Sequence, residues 1–493
     1  MIFRKGLIQL VILMLVVVIF IAGGGGEAGA AAAARPVSVS GGYAHGLAAW
    51  SDGSVTGWGY NKYGQAGDGT NIDQFIPKRI AGLTDIVQVA AGNNASFALN
   101  AAGEVWGWGQ TYGSYISNDP ALPYQKRGGP AELEGLNNVS FLTTDGSAGI
   151  AVNKDGTATL WYPSYDENDN MRMKVRYLPL PGITGIRSAV IAGNNALFLT
   201  DDGSVKQLSI YNSIMGRIRW ASDPVTVNTL AASGIKQIAS SGDNAFLLRA
   251  DGQTLRWNKT LKAPSELAGL SSVYKLQTGY NKLYVLKTNG TLWQWNYNSG
   301  PLNKPFRVKG AESITDLWGS TGSFGFALDK KGSLLGWGEG FYGGLATGSG
   351  TVTNDDITTP IPVQAPLTFM VNGKSVDFYG TAGVIDGKLY VPYSSVFKAL
   401  GVKVNMTQSN PDPKFNNYRF RVWSFAYGGT VIHIKASDPE QLFINGKKTE
   451  STITLKALSD TTQFPLQDLC ELLGISLKWN TVSGEVWLGD SGE

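Results

Sequence analysis

Cysteine and histidine are nearly missing from this 493-residue chain: Cys470 is the single cysteine, and His45 and His433 are the two histidines. One cysteine excludes an intramolecular disulfide, so burial alone must hold the fold. Cys470 lies in a helical Leu-Cys-Glu-Leu-Leu pattern and reads as a small core thiol. Two histidines so far apart exclude a His-based triad and an imidazole metal site, and no cofactor or metal is expected. His45 reads as structural, and His433, in an alternating strand, as a surface or half-buried position. A basic excess is missing too. Lys and Arg total 41 against 38 for Asp and Glu, a net charge of +3, so no field exists to draw nucleic acid. No phosphate loop, nucleophile elbow or paired metal-ligand motif occurs, and no catalytic residue is assigned. The acidic run Asp166-Glu167-Asn168-Asp169 reads as a solvated loop.

Long apolar runs are confined to the N-terminus. Arg4 and Lys5 precede an apolar stretch over 7–22 broken only by Gln9, and a small-residue stretch follows over 23–34. This is the grammar of a secretory signal over 1–34, with cleavage after Ala30 or Ala34. An uncleaved anchor is the alternative, and the run is somewhat short for the ~20 residues a spanning helix prefers. The expected location is secreted or cell surface.

Glycine is what the chain has in abundance, 63 residues, and its placement is periodic. Gly53, Gly103, Gly156, Gly203, Gly252, Gly290 and Gly332 recur at gaps of 50, 53, 47, 49, 38 and 42. Each usually follows Asp, Asn or Lys and precedes a short apolar stretch, as in Asp52-Gly53-Ser54-Val55-Thr56-Gly57-Trp58-Gly59. Repeats at this period are units that cannot bury their own faces and must stack. Each unit reads as four short strands: a Pro-bearing piece such as 77–80, a β-branched stretch such as 86–92, a small-apolar strand such as 95–99, then the turn and a Trp-bearing strand. The lead Gly-x-Asn-Ala recurs at Gly92, Gly193 and Gly242, with looser relatives at Gly42, Gly279 and Gly319. The first unit lacks the Pro piece and the last is followed by a spare copy at 359–363. The expectation is that this last strand completes the first sheet and closes a ring without free edges. Trp58, Trp108 and Trp337 are expected to pack between units.

These residues resemble repeats of the regulator of chromosome condensation family, carried by 52–67 and by Ile-Val-Gln-Val-Ala-Ala-Gly at 86–92. The resemblance implies a closed seven-bladed β-propeller over 37–364. The family's nuclear GTPase-exchange role does not carry over to an exported chain, whereas its secreted branch implies protein binding through one propeller face.

After Pro366 the texture changes, and 367–489 repeats itself at an offset of 73: Asn372-Gly373-Lys374 against Asn445-Gly446-Lys447, Val391-Pro392 against Phe464-Pro465, and 399–402 against 472–475. Asn-Gly supplies a hairpin turn, the prolines suit a first helical turn, and Gly401 and Gly474 suit helix caps. This mixed α+β pattern resembles the copper amine oxidase N-terminal-like domain, a stalk module. The resemblance does not bring the oxidase chemistry, which lies in a domain this chain lacks. The short Pro-bearing linker at 364–367 suggests a restrained hinge. The fold class is mainly β, a propeller plus this smaller duplicated domain.

The functional signal left is aromatic. Loops after the Trp-bearing strands carry Tyr60, Tyr112, Tyr115, Tyr162, Tyr165, Tyr211, Tyr297, Phe341 and Tyr342, and in a ring these emerge on one face. The candidate ligand-binding set is Tyr60, Tyr112, Tyr115, Tyr165, Tyr211, Tyr297 and Phe341, because tyrosine gives large contact area with few rotors. Turn packing is the alternative for the whole set, as for Tyr63 and Tyr342, which precede Gly in the repeat. The expected function is an exported, non-enzymatic protein that binds an extracellular protein or cell-wall polymer, with membrane contact only through an uncleaved anchor. The alternative is a carbohydrate-active hydrolase or lyase, which requires two acids converging at the central channel.

Overall fold

A computed structural model describes residues 34–111, 114–115, 129–146, 148–166, 169–180, 182–212, 218–220, 226–231, 233–298, 304–348, 356–393, 395–437, 440–458 and 461–489. The signal-like segment therefore lies outside the described residues, apart from Ala34. From Pro36 to Pro362 the chain forms seven antiparallel sheets in succession, five of four strands and two of five. We number them 1 to 7. In the four-stranded sheets the strands follow one another as a meander, the arrangement short turns favour, and in the two five-stranded sheets the third strand takes both the fourth and the fifth as outer partners.

The seven periodic glycines all sit between second and third strands with positive φ, from 76° at Gly53 to 99° at Gly103. That left-handed conformation is nearly free only for glycine. The preceding acid or amide locks the turn: Asp52 Oδ1 accepts from Ser54 N at 3.0 Å, and Asp155 and Asp202 do the same for Thr157 and Ser204.

The Pro-bearing pieces behave differently from the expectation. Each closes the sheet before it rather than opening the one after. Gln74–Arg79, with Pro77, pairs with Val55–Gly59 in sheet 1, and Asp356–Pro362 pairs with Leu334–Glu339 in sheet 7. The supposed spare copy at 359–363 is thus the proper outer strand of sheet 7, and sheet 1 needs no strand from the other end. The physical reason is local. A strand that leaves a loop pairs with its nearest antiparallel neighbour, and proline is tolerated at an outer edge where no N–H is needed.

Sheets 7 and 1 meet by another route. Gly41 N donates to Gly319 O at 3.0 Å, Thr321 N to Gly41 O at 2.9 Å, and Gly322 N to Gly42 O at 3.0 Å. Seven apolar clusters each take residues from two sheets, and one joins sheet 7 to sheet 1 through Val39, Trp58, Trp318 and Phe326. Trp58, Trp108 and Trp337 are all essentially buried in these seams, as their spacing suggested. Trp58 Nε1 also donates to Gly344 O, and Trp108 Nε1 to Gln65 O, each at 2.9 Å.

The first strands of neighbouring sheets are stitched by side chains that imitate a backbone. Gln88 donates to Leu142 O at 2.8 Å and accepts from Leu142 N at 2.9 Å. Gln237 does the same with Leu276 at 2.7 and 2.9 Å. Between sheets 6 and 7, Lys275 pairs with Asp316.

Beyond residue 366 the duplication is visible in the strands. Thr368–Val371 and Gln441–Ile444, Gly383–Ile385 and Lys456–Leu458, and Lys388–Val391 and Thr461–Pro465 each start 73 residues apart. Val391 pairs with Phe464, its own counterpart, so the two halves meet about a local dyad. They also exchange hairpins: Thr368–Val371 pairs in parallel with Glu485–Leu488 of the second half. Asn372, Asn445 and their following glycines all have positive φ, as a tight hairpin turn demands. Gly474 caps the helix Leu466–Leu473, donating to Cys470 O and Glu471 O. Cys470 is buried in this core, and burial pushes its thiol up to about 12, so it stays protonated.

The linker is not a free hinge. Ile76, from the outer strand of sheet 1, is 5% exposed and packs into the core of the C-terminal module. Val384 N donates to Gly348 O at 2.9 Å, and Gly348 N to Phe75 O at 3.1 Å. Phe75 and Ile76 face opposite ways, as successive strand residues must. One fills the space beside Gly343 and the other enters the module.

Candidate binding face

First-to-second turns and third-to-fourth loops leave each meander at the same end. At that end, tyrosines collect around sheets 6, 7 and 1. Tyr43 and Tyr280, on the first turns of sheets 1 and 6, are 57% and 61% exposed. Their turns are tied through sheet 7: Tyr280 N donates to Gly322 O at 2.6 Å, and Gly322 N reaches Gly42 O at 3.0 Å. Beside them the ring of Tyr60 lies 4.9 Å from Tyr342 and 6.0 Å from Tyr63. Tyr342 is held at φ 51°, ψ 30°, a conformation non-glycine residues seldom adopt, and its ring remains exposed. Burial, then the neighbouring Tyr63, pushes the Tyr60 hydroxyl up to about 12, so it remains a donor.

The platform under Tyr60 is stiff. Asn61 is fully buried, donating to Asp68 Oδ1 at 2.9 Å and to Ile72 O at 3.0 Å while accepting from Ala66 N at 2.8 Å. Asp68 also accepts from Gln74 at 3.0 Å and pairs with Lys78 at 3.1 Å. A loop held by this many internal hydrogen bonds can present rings without losing much entropy on binding.

His45 lies beneath this face. Ser96 Oγ donates to Gln65 O at 2.7 Å, so it must accept from His45 Nε2 at 2.9 Å. That fixes the tautomer and leaves Nδ1 as a buried lone pair with no partner among the described residues. Burial lowers the imidazole to about 3, so it is neutral. Gly42 is required here, because a Cβ would lie 2.1 Å from His45 Cε1.

Of the sequence-derived candidates, the structure brings Tyr60 together with Tyr63 and Tyr342, and leaves Phe341 half-buried nearby. Tyr297 is corrected. It is 6% exposed, donates to Ser241 O at 3.2 Å and packs on Phe246 and under Arg256, so it belongs to the seam between sheets 5 and 6. Tyr112 lies outside the described residues. Tyr115, Tyr165 and Tyr211 are placed on the strands Ser114–Tyr115, Ala158–Asp166 and Val205–Asn212. Tyr43 and Tyr280 were missed. Their signal was present: both occupy the second position of the looser Gly-led turns, where the regular copies carry Asn93 and Asn194.

The channel between the first strands has a volume of about 410 Å³ and is lined from all seven sheets. Its walls mix hydroxyls and amides, including Ser40, Gln88, Thr143, Gln237 and Thr278, with apolar side chains such as Phe141, Ile238 and Trp318. Among the described residues Lys275, paired with Asp316, is the only charged residue of the lining, and no carboxylate is among them. The acid pair that glycan hydrolysis would need is not found there. His433, in the module, meets Ser424 Oγ at 2.6 Å.

Comparison with known proteins agrees with this geometry. A regulator of chromosome condensation (RCC1) repeat matches residues 52–99, and a second such repeat matches 86–113. The ultraviolet-B receptor UVR8 of Arabidopsis thaliana is 29% identical over 177 residues, covering 35% of this chain and 36% of that protein. The mitochondrial RCC1 domain-containing protein RUG3, also from Arabidopsis thaliana, is 25% identical over 250 residues, covering 47% and 56%. The chain thus spans less than two thirds of the length of each of these two relatives. Prp20p from Saccharomyces cerevisiae, a protein described with binding properties to Gsp1p and histones, superposes with a TM-score of 0.50 at 16% identity. The match covers 63% of this chain and 86% of that one. The successive sheets of this chain form a propeller of the kind seen in Prp20p, built from repeats similar to those of regulator of chromosome condensation.

Proposed function

We propose that this chain is an exported, non-enzymatic binding protein that grips an extracellular protein through the tyrosine-bearing end of a closed seven-bladed ring. The observation that carries the reading is the gathering of Tyr43, Tyr60, Tyr63, Tyr280 and Tyr342 at one end, exposed or half-buried, on a hydrogen-bonded platform. Rigid aromatic anchors dominate protein recognition because they bury much area at small entropic cost. Ring closure is supported by the hydrogen bonds and apolar cluster joining sheets 7 and 1. Protein binding by a propeller of this kind has a precedent in Prp20p. The 1–34 segment supports export, and a cell-wall polymer is the other class of partner an exported face would meet. Residues 367–489 form, in this proposal, a copper amine oxidase N-terminal-like module. Its duplicated halves support that reading, and its docking through Ile76 makes it a fixed extension rather than a swinging stalk.

The test is capture of partners from secreted and cell-surface material by the full chain and by a Tyr43/Tyr60/Tyr280/Tyr342→Ala variant. The expected outcome is a protein partner whose affinity falls at least ~10-fold in the variant, the effect of losing one or more anchor residues. Unchanged affinity in a folded variant would move the site elsewhere.

A further inference from the structure

The C-terminal module keeps its sheet edges short, with one exception. Lys374–Val376, Gly383–Ile385, Lys456–Leu458 and Leu477–Trp479 are three residues each, and Lys447–Lys448 is two, both charged. Short and charged edges are how proteins avoid unwanted pairing. Lys403–Gln408 is six residues long and lies at the edge of a five-stranded sheet. It pairs with Arg421–Tyr427 in unbroken register from Lys403↔Ala426 to Gln408↔Arg421, with no bulge and no proline. Every residue but Val404 is exposed, and Met406 is 50% exposed beside the buried Trp423. Its counterpart in the second half, Leu477–Trp479, is half as long. No described strand covers the open side.

The charge around this edge is one-sided. Between residues 400 and 437 the cations are Lys403, Lys414, Arg419, Arg421 and Lys435, and Asp412 is the single acid. Lys435 takes Asp412 at 2.9 Å. Lys403, Lys414, Arg419 and Arg421 are exposed and make no ion pair among the described residues. Tyr418, 63% exposed, stands among them.

We infer that Lys403–Gln408 is an open docking edge that takes an extended, acidic peptide segment of a partner as an added strand. Backbone groups of the edge supply generic affinity, and the residue types opposite them supply selection. Apolar side chains of the incoming strand would lie beside Val404 and Met406, and its carboxylates near Lys403, Arg419 and Arg421. A second copy of this chain fits less well, because it would bring the same cations against them.

The test is selection of a displayed library of random ten-residue peptides on the full chain. A Lys403→Glu/Arg421→Glu variant is the counter-target, and hydrogen exchange of residues 403–408 is the second readout. The expected winners are rich in Asp and Glu with alternating apolar residues. They should protect 403–408 on binding and bind the variant at least ~10-fold more weakly, at an unchanged unfolding midpoint because both substituted residues are exposed. Winners without acidic enrichment, winners indifferent to the variant, or no winners would overturn the inference. So would a concentration-dependent dimer in sedimentation that Met406→Lys dissolves, which would assign the edge to a second copy.

Discussion

His45 is the residue at which this fold meets acid. Its imidazole is neutral and buried, with a folded value of about 3 against 6.5 when exposed. The unfolded chain therefore binds a proton that the folded chain refuses. Stability from this group is fully present above pH 6.5 and is lost as pH falls toward 3, at about 1.4 kcal/mol per unit. Urea unfolding between pH 7 and 4 should show that slope, and His45→Gln should flatten it while retaining a donor for Ser96. Trp58 makes a second residue-scale expectation. It is buried between sheets 7 and 1 with its indole N–H bonded to Gly344 O. Trp58→Ala should cost about 3–5 kcal/mol in chemical denaturation. Much at this scale could be read in the sequence: the turn glycines, the seam tryptophans, the core thiol. Tyr297 could not, since whether a loop tyrosine turns outward depends on which blade its ring meets, here Phe246 of the preceding sheet. Tyr43 and Tyr280 were hidden because a tyrosine in a degenerate turn reads as decay of the repeat rather than as a gain.

At the scale of elements, the strands were legible and their grouping was not. A Pro-bearing strand looks the same whether it opens one sheet or closes another. Only pairing decides, and Pro77 falls on an outer edge because the meander continues locally. The duplication after residue 366 was legible as a repeat, yet the exchange of hairpins between its halves has no sequence signature. Nor does docking: Ile76 is one apolar residue in an outer strand. Because it is buried in the module, Ile76→Asp should release the module without unfolding the propeller. Small-angle scattering should show a larger radius of gyration, and a protease should cut near 364–367 at an increased rate. Equal scattering curves would mean that the backbone contacts at Gly348 hold the module alone.

For the whole molecule, the proposed function rests on the tyrosine-bearing end of the propeller. Seven seams of similar chemistry hold the sheets. Tyr43, Tyr280 and Tyr342 are exposed at one end of sheets 6, 7 and 1, whereas Tyr274 is exposed at the far end of the first strand of sheet 6, and the channel is lined by hydroxyls, amides and apolar side chains with no carboxylate among the described lining residues. The most direct test places a photo-crosslinking residue at position 43 or 280, and at position 102 or 251 on the turns of the opposite end, in the full chain exposed to secreted and cell-surface proteins, the partners proposed above. Recognition through the tyrosine end predicts crosslinks from 43 and 280 to one partner and none from 102 or 251. Crosslinks to that partner from 102 and 251 alone would contradict it.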